Sequence, residues 1–235
     1  METIAERLKS VQTTIKQSTL GAHRASNSVK LLAVSKTKPV SDIVQAYEVG
    51  QRLFGENYVQ EGIDKIQTLQ NLTDIEWHFI GPLQSNKTRV VATHFDWVQS
   101  IDRIKIAQRL NDQCPLHKKL NICVQINIDD DPNKAGIKSN ELNEFIEAIV
   151  KMPNLRFRGL MTIPKGQQTT TQQQHSFQKM ADLFTALKNI YPDIDTLSMG
   201  MSGDMQVAVE NESTMIRVGT AIFGTRNQTK ESNAT

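Results

Sequence analysis

Several features that would direct a functional reading are scarce or missing in this chain. Among 235 residues there are two cysteines, Cys114 and Cys123, nine apart and without CxxC spacing. Cys123 falls in the largely apolar run LNICVQINI where a small hydrophobe is expected, and both read as reduced structural thiols. No apolar run approaches the roughly 18 residues that a membrane span needs. The N-terminal METIAERLKSVQTTIKQ is charged throughout and lacks the apolar core of a signal peptide, which points to the cytoplasm. Excess charge is missing too: 27 Lys and Arg stand against 25 Asp and Glu, a formal charge of +2, with no long basic run. That leaves no electrostatic footprint for nucleic acid and directs attention to a small-molecule partner. Glycine is absent where a dinucleotide-binding fold requires it. The segment SKTKPVSD after the first apolar run has none, so the GxGxxG turn of a doubly wound sheet is not there. The successive aspartates Asp129, Asp130 and Asp131 lack the alternating ligands, central glycine and terminal glutamate of an EF-hand and read as a solvated acidic turn.

What is present is alternation. Ile4, Leu8, Val11 and Ile15 form the stripe of an amphipathic helix over 2–18. Short apolar runs then follow at 30–35, 52–55, 76–81, 96–99, 121–128, 155–163, 195–200 and 214–219, separated by segments of helical character. SDIVQAYEVG opens on a Ser-Asp cap signal and ends in Gly50. SNELNEFIEAIVKMP runs from Ser139 to Pro153, and Phe177, Met180, Leu183, Phe184 and Leu187 share one face between Thr171 and Ile190. Eight strands alternating with helices predict a single-domain α/β protein, a (β/α)8 TIM barrel preceded by an N-terminal helix, a fold that typically takes about 250 residues. The expected domain spans 1–226, and the polar stretch 227–235 is expected to be an unstructured tail.

The first run, VKLLAVSKTK, carries four consecutive apolar residues into a Ser-Lys pair and stops at Pro39. In such a barrel the C-terminal strand ends face the active site, so Lys36 is either one more solvated lysine or a nucleophilic amine for an aldehyde. An amine adds to an aldehyde only in its neutral form, which an apolar setting favours. Two glycine-bearing turns, LSMGMSGDM at 197–205 and IRVGTAIFGTR at 216–226, would follow the seventh and eighth strands. Barrels frequently place a phosphate site there, and Ser202, Gly203, Gly219 and Thr220 suit it; the alternative is ordinary strand-to-helix turns with Ser202 as an N-cap. Arg217 lies inside the eighth apolar run, where an unpaired guanidinium is costly, so it needs a partner: a structural salt bridge, or a ligand's ring nitrogen or carboxylate. Asn57 follows the second run. His78, within the third, reads on its own as a satisfied core histidine.

VSKTKP at 34–39, FGENYVQE at 54–61, WHFIGPLQSNK at 77–87, GLMTIP at 159–164, LSMGMSGDM at 197–205 and IRVGTAIFG at 216–224 together resemble the pyridoxal phosphate homeostasis protein family. Their order and spacing cover nearly the whole chain. That family is similar to the N-terminal barrel of alanine racemase and holds pyridoxal 5′-phosphate as a Schiff base on the lysine of VSKTKP, here Lys36. The resemblance implies that Asn57 lies beside the cofactor ring, that Arg217 faces the pyridine nitrogen, and that Ser202, Gly219 and Thr220 hold the phosphate. It also implies that His78 and Met161 line the pocket. One departure is NIDDDPNKAGI, where relatives show a Ser-Lys-Ser-Gly-like stretch; Lys134 and Gly136 remain while their neighbours differ.

An arginine can only donate, so a pyridine nitrogen facing it stays unprotonated and the ring is a weak electron sink. Racemisation would further need a second acid/base. In alanine racemase this is a tyrosine from another domain of a partner subunit, and Tyr47, Tyr58 and Tyr191 all fall in helices or at their ends. The expectation is therefore a monomeric carrier, not an enzyme, which takes part in vitamin B6 homeostasis and supplies or buffers pyridoxal phosphate for apo-enzymes. The alternative is a weak amino-acid racemase.

Overall fold

Runs that are apolar on both faces become strands only where both faces are covered. In the computed structural model, which describes residues 2–225, they form β1 (Lys30–Val34), β2 (Leu53–Glu56), β3 (Glu76–Phe79), β4 (Trp97–Ile101), β5 (Leu120–Ile126), β6 (Leu155–Thr162), β7 (Thr196–Ser198) and β8 (Met215–Val218). All pair in parallel in sequence order, and β8 closes on β1. The helices are α1 (Ile4–Gly21), α2 (Val40–Glu48), α3 (Val59–Thr68), α4 (Thr88–His94), α5 (Ile104–Gln113), α6 (Leu142–Ile149), α7 (Thr170–Ile190), α8 (Met205–Glu210) and α9 (Thr220–Phe223). The barrel and its leading helix match the sequence expectation. The tail expected over 227–235 lies outside the described residues, as does residue 226. Among the described residues no helix is long and apolar enough to cross a membrane, and both cysteines are free and buried.

Two helix starts differ from the sequence reading. The N-cap of α2 is Pro39 rather than Ser41, because proline's fixed φ suits the position and needs no donor. Before α6 the chain makes a short 3₁₀ turn, Ser139–Glu141, in which Glu141 reaches back to the Lys138 N–H at 3.0 Å. Helix α7 is capped as a strong start should be, by Thr169 and Gln172 acting reciprocally.

The main core lies between sheet and helices, with Leu8, Ile43, Phe54, Phe79, Val91 and Phe177 fully enclosed. Inside the barrel the packing is of another kind. Trp97, Cys123 and Met161 form a separate apolar cluster. Around it stand the buried polar side chains of His78, Gln99, Ser198 and Arg217. The His78 ring stacks on Trp97 at 5.0 Å between centroids. Its Nδ1 faces the Gln99 amide at 2.9 Å and its Nε2 faces Glu76 at 2.9 Å.

Burial pushes the His78 imidazole below its ordinary value of 6.5, and Glu76 only partly offsets this. The folded protein therefore binds this proton less readily than the unfolded chain, so the stability this neutral ring preserves is fully present above about pH 6.5 and is lost as pH falls below it. Thermal unfolding followed from pH 7.5 down to 5.5 should show a falling midpoint, and His78→Asn should flatten that slope.

Candidate functional site

The C-terminal mouth of the barrel is where the strand ends deliver their loops, and β1 delivers Lys36. The Ser35 N–H still donates to the Gly55 carbonyl at 3.0 Å, so Lys36 is the first residue beyond the ladder. It is half-buried and lines a small cavity of about 80 Å³ with Val34, Thr37, Lys38, Gly219, Thr220 and Gly224. Closure of β8 on β1 is what brings these residues together: Leu32 pairs with Arg217 and Ala33 with Val218, so the residues just beyond both strands meet. Lys38 ties the same loop to the end of α9, its Nζ donating to the carbonyls of Phe223, Gly224 and Thr225 at 3.1, 2.9 and 2.9 Å.

The backbone on either side of Lys36 is held by a buried ionic cluster. The Lys65 ammonium, on α3, donates to the Ser35 carbonyl at 2.7 Å, to Glu56 Oε1 at 2.7 Å and to Glu61 Oε1 at 2.6 Å. Ser35 Oγ donates to the same Glu56 oxygen at 2.6 Å, and the Thr37 N–H donates to Glu61 at 2.6 Å. Lys65 is 5% exposed and Glu56 is fully enclosed. Burial pushes the Glu56 carboxyl up, while Lys65 and Ser35 work against it. Thr37 adopts φ 62°, a left-handed conformation that costs a β-branched residue about 1–3 kcal/mol. The bond to Glu61 holds it there. Ser35, Glu56, Glu61 and Lys65 were not singled out from the sequence; the signals available were a carboxylate closing an apolar strand and a Glu-Lys pair four apart on a helix.

Arg217 is 4% exposed, and burial pulls its guanidinium down to about 10, with Asp204 opposing, so it is a cation at neutral pH. Of the two partners the sequence left open, the structural salt bridge is not found. Among the described residues Arg217 has no ion pair. It donates to Ser198 Oγ and to the Thr162 carbonyl, both at 2.8 Å. Its remaining N–H groups are left for another acceptor.

Asn57 sits at the end of β2, half-buried, and its Oδ1 is enclosed without a hydrogen-bond partner. Its backbone is drawn close to the next strand end: a Cβ on Gly81 would stand 2.1 Å from the Asn57 carbonyl oxygen, so only glycine permits this approach. Gly219 and Thr220 open α9 at the cavity, and Ser202 and Gly203 lie exposed in the turn after β7. Ser202 is not the N-cap of α8. That position is Asp204, whose carboxylate accepts from the Met201 N–H at 2.5 Å. His78 and Met161 do not border the Lys36 cavity; both are enclosed in the barrel interior, Met161 against Trp97 and Cys123. Lys134 and Gly136 lie in the loop after β5, where Asn127 Nδ2 ties the turn by donating to the Asp131 carbonyl at 2.8 Å. A larger groove, about 630 Å³, lies at the opposite end of the barrel beside the Arg158–Asp195 ion pair, but no lysine lines it. Chemistry in this fold belongs to the mouth at the C-terminal strand ends.

The family model for the alanine racemase N-terminal domain matches residues 13–227. The pyridoxal phosphate homeostasis protein of Pasteurella multocida is 53% identical over 232 residues, covering 97% of this chain and all of that protein. Its namesake in Escherichia coli K12 is 52% identical over 234 residues, covering 98% and 100%. Among solved structures, PipY of Synechococcus elongatus PCC7942 with PLP bound is 37% identical, with a TM-score of 0.82 over 94% of this chain and all of that one. Alanine racemase from Corynebacterium glutamicum is 14% identical with a TM-score of 0.68, and this chain covers 61% of it, which shows a shared barrel and nothing of its activity. With the Ser-Lys strand end, the buried arginine and the closed parallel barrel all in place, this chain belongs to the pyridoxal phosphate homeostasis protein family.

Proposed function

We propose that this protein holds pyridoxal 5′-phosphate at the C-terminal mouth of the barrel and buffers or supplies it to apo-enzymes. One observation carries the reading: the lysine at the end of β1 and the glycine and threonine after β8 border one cavity, above a buried arginine with unused donors. The residues present fit the cofactor. Gly219 offers backbone approach, Thr220 adds a hydroxyl, and Ser202 stands exposed on the neighbouring turn for the phosphate. The orphaned Asn57 Oδ1 and the free Arg217 donors suit a polar aromatic ring. When bound, the cofactor supplies an aldehyde. Lys36 would hold that aldehyde through its amine.

Arg217 orients and holds the ring as a permanent donor. Among the described residues no tyrosine borders the Lys36 cavity to serve as a general acid/base for racemisation. Tyr47 hydrogen-bonds Asp74 at 2.6 Å and Tyr191 caps the end of α7, both at the far end of the barrel. Tyr58 is 52% exposed beyond Asn57. Loss of such a group typically costs 10²–10⁴-fold. His78 and Met161 lie enclosed in the barrel interior and do not border the Lys36 cavity.

The deciding experiment adds pyridoxal phosphate to the purified protein, records its visible absorbance, reduces with borohydride and maps the labelled peptide. The expected label is on Lys36, lost in Lys36→Ala; equal labelling of scattered surface lysines in both proteins would sink the assignment. Glu61→Ala frees the Thr37 N–H and one Lys65 bond. It should weaken cofactor binding by about tenfold, the scale of one charge-assisted hydrogen bond, while Lys36 still takes the label. Lys65→Met strands two carboxylates and should lower stability by about 3–5 kcal/mol in denaturant titrations.

A further inference from the structure

The polar groups inside the barrel form a single file. Arg217 donates to Ser198 Oγ at 2.8 Å, Ser198 donates to Gln99 Oε1 at 2.7 Å, and Gln99 Nε2 meets His78 Nδ1 at 2.9 Å. His78 Nε2 then meets Glu76 Oε1 at 2.9 Å. The residues come from β8, β7, β4 and β3, and the file descends from the C-terminal end of the barrel to the first residue of β3 at the other end. Gln99, His78 and Ser198 are all essentially shut off from solvent, whereas the Glu76 side chain is 40% exposed.

The donors all point one way. An amide nitrogen can only donate, so Nδ1 of His78 is the acceptor and the ring proton resides on Nε2, facing the carboxylate. Each link turns its negative end towards Arg217, and the last link is an anion. Hydrogen bonds in series polarise one another, so a chain aligned from cation to carboxylate stabilises both ends. Together with the charge of Asp204, this offsets the burial of Arg217 without an ion pair, a burial that would otherwise be costly. The surroundings agree: Lys30 and Arg158 act on Glu76, which they and His78 hold below the usual carboxylate range against the effect of burial, and Asp96 acts on His78.

We propose that Ser198, Gln99, His78 and Glu76 are positioning residues for Arg217, a one-directional hydrogen-bond chain that fixes its guanidinium and couples the cofactor end of the barrel to a carboxylate at the opposite end. The coupling rests on the reading above, in which Arg217 faces the bound ring; the direction of the chain does not.

Nitrogen-15 NMR of the histidine rings in the full-length protein tests the direction without cofactor. His78 should be the neutral Nε2–H tautomer at pH 7.5, and an Nδ1–H tautomer would overturn the chain. Cofactor titration then tests the coupling. Adding pyridoxal phosphate should shift the His78 resonances in the wild type but not in Gln99→Met, which keeps the volume and cuts the chain. Gln99→Met should also bind the cofactor about tenfold more weakly and move its visible band, as expected when a hydrogen bond to a charged group is lost. Should Gln99→Met fold poorly, Glu76→Gln replaces a partly exposed anion by an isosteric acceptor and should move the band in the same direction by less. An unmoved band and His78 resonances that respond to cofactor equally in all proteins would refute the coupling. Failure of the wild type to load Lys36 would instead sink the cofactor reading, with the tautomer still deciding the chain.

Discussion

The pairing of β1 with β8 is the contact on which the site depends. It closes the barrel, and its register sets Leu32 beside Arg217 and Ala33 beside Val218, so that a loop near the start of the chain meets one near its end. The two loops are then fastened on the outside. Lys38 reaches the last carbonyls around α9, and Arg7 of α1 donates to the Ile222 carbonyl at 2.7 Å. Both bonds join residues far apart in sequence, so the mouth assembles only when the whole barrel does. A ligand seated between the two loops would bind only the folded state and would stabilise it by mass action.

Two buried cations flank this mouth, and they are accommodated differently. Lys65 is surrounded by acceptors, two of them carboxylates, within 2.7 Å. It spends its donors on the chain itself and fixes the backbone before and after Lys36, so it is structural in its chemistry and functional in its effect. Arg217 keeps donors unspent and has only neutral partners, a hydroxyl and a carbonyl. A buried ion pair would have satisfied Arg217 and made it inert. Neutral partners leave it charged, oriented and available, as a residue meant to hold a ligand must be.

Much of this was legible in the sequence, for identifiable reasons. Strands of a parallel barrel are covered on both faces and so read as apolar runs, which is why all eight appeared within a few residues of their true bounds. Arg217 was visible because a cation inside such a run contradicts its surroundings. Lys36 was visible because a strand ended on it. The Lys65 cluster was not, since Ser35, Glu56 and Lys65 converge from separate elements and each alone looks like an ordinary polar residue. The interior file was hidden for the same reason: Gln99 and Ser198 are unremarkable until the barrel closes and sets them 2.7 Å apart. His78 read correctly as a satisfied core histidine, and its partners Glu76 and Gln99 could not be named before the fold. The missed cap at Ser41 reflects local competition, which proline won by its fixed φ.

The same construction bears on the proposal that this barrel holds a cofactor rather than turning over substrate. Strong catalysis at such a ring needs an acid to protonate the pyridine nitrogen and further groups that move protons on both faces of a substrate. Arg217 donates without surrendering its proton, and the file behind it ends on a distant carboxylate, so the charge it presents is fixed rather than switchable. His78, a titratable group within that file, is neutral, enclosed and occupied at both nitrogens. Lys65, the other buried amine, is committed to three acceptors. Lys65 and His78 are thus bound into the scaffold. At the mouth, the Lys36 amine and the unspent Arg217 donors are the groups that the proposed function calls on to hold an aldehyde and its ring.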